Sequence, residues 1–278
     1  MTEGNPLSRL EDADRQAAEA LAQAIHKAGD GHYTSSVFDR LFGVAHVAHA
    51  TSEASHFPYR HLVEAREHFQ HLITLVYKIG WLADRRAADE LDELTWTYFC
   101  ASDILTFHTV IRSLLDEVSA MASRLGAQRG VPDKGFHKLR KWVINGAKSD
   151  EVLGKALAES VKGCDWFDDL RDIRDDLVHR SARAIVLLEP NRVLFQVHLG
   201  TSPKIFIPPV MFNANVVDFT TYAALLMARL ATFLDRFAAA VFVAAQYLSE
   251  EKDESIQSFH MGLVVLKTWL DDLLAETD

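Results

Sequence analysis

Cysteine is scarce in this chain of 278 residues, where only Cys100 and Cys164 occur. Both lie among apolar neighbours in helical patterns, so we expect two buried free thiols and no disulfide. Their wide separation, with no Cys-x-x-Cys pair, excludes a zinc ribbon. The chain also lacks a phosphate loop, a Gly-x-Gly-x-x-Gly turn and a Gly-x-Ser-x-Gly elbow. These absences argue against nucleotide cofactors and serine hydrolase chemistry, and we expect no cofactor.

An excess of positive charge is also missing. The formal net charge is -10, from 29 Lys and Arg against 39 Asp and Glu. Because attraction to phosphates dominates nonspecific nucleic-acid binding, a protein that coats RNA or DNA is disfavoured. Basic residues are nevertheless concentrated locally, in residues 134–148 and at Arg171, Arg174, Arg180 and Arg183. A local RNA cleft is therefore compatible with the composition, and Arg171, Arg180 and Arg183 are candidate RNA contacts.

Uninterrupted apolar stretches are short. Residues 1–15 are polar and contain no apolar run, so we expect no signal peptide. The longest apolar stretch, residues 222–248, is interrupted by Arg229, Asp235 and Arg236. That stretch predicts a buried helix and no membrane span, and we expect a cytoplasmic protein.

The hydrophobic pattern has a helical period over most of the chain. It predicts helices over residues 7–28, 37–54, 59–84, 91–128, 135–146, 150–163, 165–180, 213–249 and 255–275. The pattern becomes β-rich at about residues 184–199, where a turn at Glu189–Arg192 predicts a β-hairpin as the only sheet. No repeat or linker divides the sequence. We therefore predict one all-α domain over residues 1–278, a helical bundle with long helices and one inserted hairpin.

The helix predicted over residues 165–180 has two stripes of side chains. Its apolar spine consists of Trp166, Leu170, Ile173 and Leu177. A second stripe on one flank consists of Phe167, Arg171, Arg174 and Val178. Because both stripes are suited to contact, the helix is expected to pack against its own core on one side. On the other side it would meet a partner chain or a ligand.

The same helix contains the run RDDLVH, from Arg174 to His179. Its pattern of Arg, a polar residue, three further residues and His resembles the signature of the HEPN superfamily, a group of small all-helical domains. Members often have Asn at the second position, where this chain has Asp175. The resemblance implies a metal-independent endoribonuclease of toxin–antitoxin, phage-defence or RNA-processing systems. It also implies a homodimer with one cleft at the interface, an RNA substrate, and a cognate antitoxin or other regulatory protein.

The residue types suit that chemistry. His179 can take the proton of a ribose 2′-hydroxyl, because imidazole titrates near neutral pH. Arg174 can hold two phosphate oxygens with its planar fork. Asp175 precedes His179 by one turn and could orient it. Five residues along a straight helix separate two side chains by roughly 140°, so Arg174 and His179 of one chain do not converge. A second protomer would bring the two side chains together, so the spacing favours a dimer.

Two alternatives remain open at this stage. His179 and Arg180 fall in the last helical turn, where the helix dipole favours cations, and Asp176 can pair with Arg180. On this interpretation the motif is a solvated face, and the chain is a HEPN-like dimerisation or binding protein without catalysis.

The second alternative is a metal-binding helical bundle. Histidines are frequent in residues 46–71. Glu53 and His56 form a Glu-x-x-His match of the kind that bundles use to hold metal ions. Two further pairs share a helix face at a spacing of four: Glu64 with His68, and Glu67 with His71. No second Glu-x-x-His unit accompanies the first, so exposed histidines on an amphipathic helix are the favoured interpretation.

Overall fold

Most of the described chain is helical in the computed structural model. The structure describes residues 10–27, 32–34, 59–125, 130–132, 135–146, 148–179, 185–189, 192–196, 208–213, 216–244, 257–259 and 261–275. Its helices are α1 (Asp12–Lys27), α2 (Tyr59–Ala87), α3 (Glu93–Leu125), α4 (Phe136–Asn145), α5 (Ser149–Leu153), α6 (Lys155–Lys162), α7 (Phe167–His179), α8 (Phe219–Ala244) and α9 (Met261–Ala275). The prediction of a mostly helical chain is confirmed. The helix predicted over residues 37–54 lies outside the described residues, and the assignment of residues 1–278 to one domain stays a prediction.

Helices α2 and α3 form a long antiparallel hairpin. Two contacts at different heights fix their direction, His61 with Glu117 and Lys78 with Asp103. The carboxylate of Asp92 accepts a hydrogen bond from the Thr95 amide at 2.9 Å and so caps the start of α3. Because the two helices lie side by side, side chains that are distant in sequence become neighbours along the hairpin.

Helices α4 to α6 follow as a series of shorter segments that lead into α7, the helix that contains the RDDLVH run. The single helix predicted over residues 150–163 is wrong, because Gly154 divides it into α5 and α6. Gly154 has a φ of +81°, a conformation that interrupts a right-handed helix and that side chains with a Cβ rarely adopt. The break allows α6 to change direction and pack on α8.

The β structure is more extensive than predicted. The hairpin is confirmed as β2 (Ile185–Glu189) paired antiparallel with β3 (Arg192–Gln196), with Glu189 opposite Arg192. Strands β4 (Met211–Asn213) and β5 (Val216–Asp218) extend it to an antiparallel sheet in the order β2-β3-β5-β4. A second, two-stranded sheet pairs β1 (His32–Thr34) with β6 (Gln257–Phe259). The expectation of a single two-stranded sheet is therefore wrong.

The added strands also correct two helix boundaries. The helix predicted from residue 213 begins at Phe219, because Asp218 caps it: its Oδ1 accepts hydrogen bonds from the amides of Thr220 at 3.0 Å and Thr221 at 3.4 Å. The helix predicted from residue 255 begins at Met261, after β6. In both places a short strand occupies residues that the hydrophobic pattern had assigned to the helix.

The described helices and the larger sheet share one hydrophobic core. Helix α8 contributes to it along most of its length and contacts α1, α6 and α9. Both Cys100 and Cys164 are buried free thiols in this core, as predicted. None of the helices in the described ranges has the length and apolar character needed to cross a membrane. The cytoplasmic location expected from the sequence stays a prediction.

Candidate functional site

Helix α7 is anchored by the apolar spine that the sequence predicts. Its four members are all buried: Trp166, Leu170, Ile173 and Leu177. Phe167 was predicted for the outer stripe but is also buried, with its ring at 4.9 Å from the ring of Phe136 in α4. The rest of the outer stripe is accessible, and Val178 keeps 39 % of its surface exposed. One side of α7 therefore belongs to the core, and the motif residues Arg174 and Val178 remain on the other.

Arg174 and Asp175 form an ion pair at the surface of α7. Nη1 of Arg174 donates a hydrogen bond to Oδ1 of Asp175 at 2.9 Å. The exposed fractions of the two side chains are 29 % and 46 %, so both can be reached from solvent. In the described structure the partner of Asp175 is thus Arg174, whereas the sequence pattern suggested His179. The side chain of His179 lies outside the described residues, as do Arg180 and Arg183, and their predicted roles stay predictions.

Arg171 continues the accessible side of α7 by one turn. It forms an ion pair with Asp172 at 2.9 Å, and its Nη1 donates to Nδ1 of His137 in α4 at 2.9 Å. Partial burial and the charge of Arg171 lower the pKa of His137, so its imidazole serves as a neutral acceptor. The contact links α7 to the basic segment of α4.

Two further arginines complete a cluster around Phe167. Arg140 of α4 pairs with Asp168. The guanidinium of Arg112 in α3 lies over the Phe167 ring at 4.9 Å from its centroid and pairs with Asp116 at 3.3 Å. In this cluster each arginine has a carboxylate beside it. A phosphate group would therefore have to compete with an aspartate for the guanidinium of Arg171 or Arg174.

The charge of α7 itself is acidic. Its sequence FDDLRDIRDDLVH contains five aspartates and two arginines. Asp176, which the sequence marked only as a partner for Arg180, is almost completely buried. The arginines of the cluster thus come from α7 together with α3 and α4. The sequence signal for the α4 part was its run of basic residues, whereas nothing local marked Arg112.

Comparisons with known proteins add no relative. No family model, no curated protein and no solved structure matches the chain. The HEPN resemblance therefore rests on the RDDLVH run and the helix that carries it.

A second group of side chains with metal-ligand atoms joins α2 to α3. His61 and Glu64 of α2 and Glu117 of α3 have ligand-type atoms that all lie within 4.8 Å of one another. Nδ1 of His61 is 2.6 Å from Oε2 of Glu117, and Nε of Arg60 donates to Oε1 of Glu64 at 2.7 Å. Among the described residues this is the one such group of three or more.

That group differs from the metal sites considered from the sequence. Glu53 and His56 lie outside the described residues. His68, His71 and Glu67 are described but are not part of the group. Sequence reasoning missed Glu117, because it lies 56 residues beyond His61 and has no motif around it.

Proposed function

We propose that the chain is a HEPN-type, metal-independent endoribonuclease that acts as a homodimer. Arg174 would bind the scissile phosphate, His179 would transfer the proton, and Asp175 would position Arg174. The observation that carries this proposal is the placement of the Arg174–Asp175 pair, on the accessible side of a helix whose opposite side is fixed in the core. A rigid helix with half-exposed charged groups is suited to hold a reacting phosphate.

The reaction would proceed by attack of the ribose 2′-oxygen on the adjacent phosphorus. The new O2′–P bond forms as the P–O5′ bond breaks, which leaves a cyclic phosphate and a 5′-hydroxyl end. One proton leaves O2′ for His179, and the leaving O5′ takes one proton from a water molecule. The guanidinium of Arg174 stabilises the charge that develops on the other phosphate oxygens.

A dimer would bring together an Arg174 and a His179, which do not converge within one copy. Arg174 and His179 are five residues apart on α7, so their side chains leave the helix roughly 140° apart. Val178 belongs to the same flank as Arg174 and is one of the exposed large apolar side chains of the chain. A second copy packed against this flank would cover Val178 and would bring its own α7 beside the first. Arg174 of one subunit and His179 of the other then face a common cleft.

The test is cleavage of a labelled RNA by the purified chain. Arg174→Ala and His179→Ala are each expected to lower the cleavage rate by about 100-fold or more, the usual contribution of a group that transfers a proton or binds the reacting charge. Two matched controls come from α2, where Arg85 is an exposed arginine paired with Glu90 and His71 is an exposed histidine. Arg85→Ala and His71→Ala are expected to cleave at the wild-type rate.

Two results would contradict the proposal. Cleavage that survives both α7 substitutions would assign the activity to another site. A folded, dimeric wild-type protein that cleaves no RNA would favour the alternative of a dimerisation or binding protein. The acidic charge of α7 and the pairing of Arg171 and Arg174 with neighbouring aspartates are the observations on the side of that alternative.

A further inference from the structure

The side chains that bridge α2 and α3 have the composition of a metal site. His61 and Glu64 are three residues apart and therefore share one face of α2. Glu117 reaches them from α3, 56 residues further along the chain. One imidazole nitrogen and two carboxylate oxygens form a mixed N/O donor set, which suits Zn²⁺, Mn²⁺ and Fe²⁺.

The distances are close to those that an ion requires. Bonds of about 2.0–2.2 Å to a tetrahedral or octahedral ion place neighbouring ligand atoms about 2.8–3.6 Å apart. In the structure His61 Nδ1 and Glu117 Oε2 are 2.6 Å apart, and the whole group lies within 4.8 Å. A bound ion would therefore lengthen the contact between His61 and Glu117 as the side chains turn towards it.

Charge and access also favour an ion. The two carboxylates together carry a charge of about −2, which one divalent cation neutralises. The side chains of His61, Glu64 and Glu117 are 27 %, 32 % and 21 % exposed, so an ion could enter and keep a water molecule. Arg60 competes for Glu64, but its side chain is 85 % exposed, and such an ion pair is weak.

We propose that His61, Glu64 and Glu117 bind one divalent first-row transition-metal ion between α2 and α3. Three protein ligands leave at least one coordination position for water, as in metal sites that activate a water molecule. This site is on the helical hairpin and contains no residue of α7. It does not depend on the proposed ribonuclease function.

Calorimetric titration of the full chain with Zn²⁺, after removal of metals by a chelator, tests the proposal. We expect one tight site per chain in the wild type. Loss of a supporting group around a metal typically weakens binding 10–100-fold, so loss of a direct ligand in Glu117→Gln or Glu64→Gln should weaken it by at least about that factor. Both substitutions preserve side-chain size and keep one acceptor oxygen, and circular dichroism verifies folding.

The control has to separate this site from weak surface binding, because the chain contains 13 histidines. His71 is exposed on the same helix, and His71→Ala is expected to retain the tight site. Absence of a tight site in the wild type would overturn the proposal. Equal affinity in the wild type, Glu64→Gln and Glu117→Gln would also overturn it, and either variant alone decides if the other fails to fold.

Discussion

The fold constrains the protonation of His108. This residue is fully buried in α3, with its Nδ1 2.7 Å from the Ile104 carbonyl and its Nε2 2.9 Å from the Tyr222 hydroxyl of α8. Since a carbonyl only accepts, Nδ1 carries the proton and Nε2 accepts from Tyr222. Burial lowers the pKa of His108 to about 4, although the hydrogen bond to Ile104 opposes the shift. The neutral imidazole therefore joins α3 to α8.

This constraint predicts a loss of stability in mild acid. The folded protein keeps His108 neutral below its ordinary pKa of 6.5, whereas the unfolded chain binds a proton there. The contribution is complete above 6.5 and is lost as the pH falls towards 4. Between about pH 7 and pH 5, the free energy of unfolding should fall by about 2 kcal/mol more in the wild type than in His108→Gln.

Urea unfolding at the two pH values measures this difference. The exposed His71 provides the control, and His71→Gln is expected to show the same acid loss as the wild type. An equal loss in the wild type and His108→Gln would show that another group controls the acid response.

At the residue scale, the sequence predicted whether a side chain lies in the core or at the surface better than it predicted which side chain it contacts. The helical period correctly placed Trp166, Leu170, Ile173 and Leu177 in the core and Arg174 and Asp175 at the surface. It did not predict the pairing of Arg174 with Asp175, because a charged side chain on this helix has several oppositely charged neighbours within reach. It also could not find Glu117 beside His61, since that contact depends on how two helices pack.

At the scale of elements, α1 is attached to α8 by a nearly buried ion pair. Nε and Nη2 of Arg229 donate to the two carboxylate oxygens of Asp14 at 2.6 and 2.5 Å. Burial alone would lower the pKa of Arg229, but the hydrogen bonds and charge of Asp14 raise it above its ordinary value. The carboxylate of Asp14 explains why the apolar helix α8 tolerates the charge of Arg229 near its middle.

Removal of Asp14 should leave that guanidinium buried without its carboxylate. Asp14→Ala is expected to lower the free energy of unfolding by about 3 kcal/mol, because loss of one partner exposes the desolvation cost of the other. Chemical denaturation measures the change. Glu19 is an exposed carboxylate on the same helix, and Glu19→Ala is expected to change stability by less than about 0.5 kcal/mol. Similar effects of the two substitutions would mean that the pair contributes little to holding α1.

Long elements were predictable, and the three-residue strands were not. Helices α2 and α3 repeat their period over many turns, so their existence and approximate ends were predicted correctly. Strands β4, β5 and β6 have three residues each, too few to show an alternation. Val216 and Val217 moreover precede an apolar helix directly, and only the Asp218 cap marks the boundary.

At the scale of the whole molecule, we propose that two copies of the chain build one site. A site shared between subunits can be distinguished from a site within one chain. The spacing of Arg174 and His179 predicts that one subunit supplies Arg174 and the other supplies His179. A mixed dimer of an Arg174→Ala subunit and a His179→Ala subunit retains one Arg174 and one His179 on opposite chains. If each site were contained within one chain, no subunit of this mixed dimer would have both Arg174 and His179.

The decisive measurement is RNA cleavage by such mixed dimers, formed by co-expression of the two variants with different affinity tags and purified through both tags. Each variant alone is expected to be inactive, and the mixed dimer is expected to recover a substantial fraction of the wild-type rate. A mixed dimer that forms and remains as inactive as the single variants would contradict a site shared between subunits.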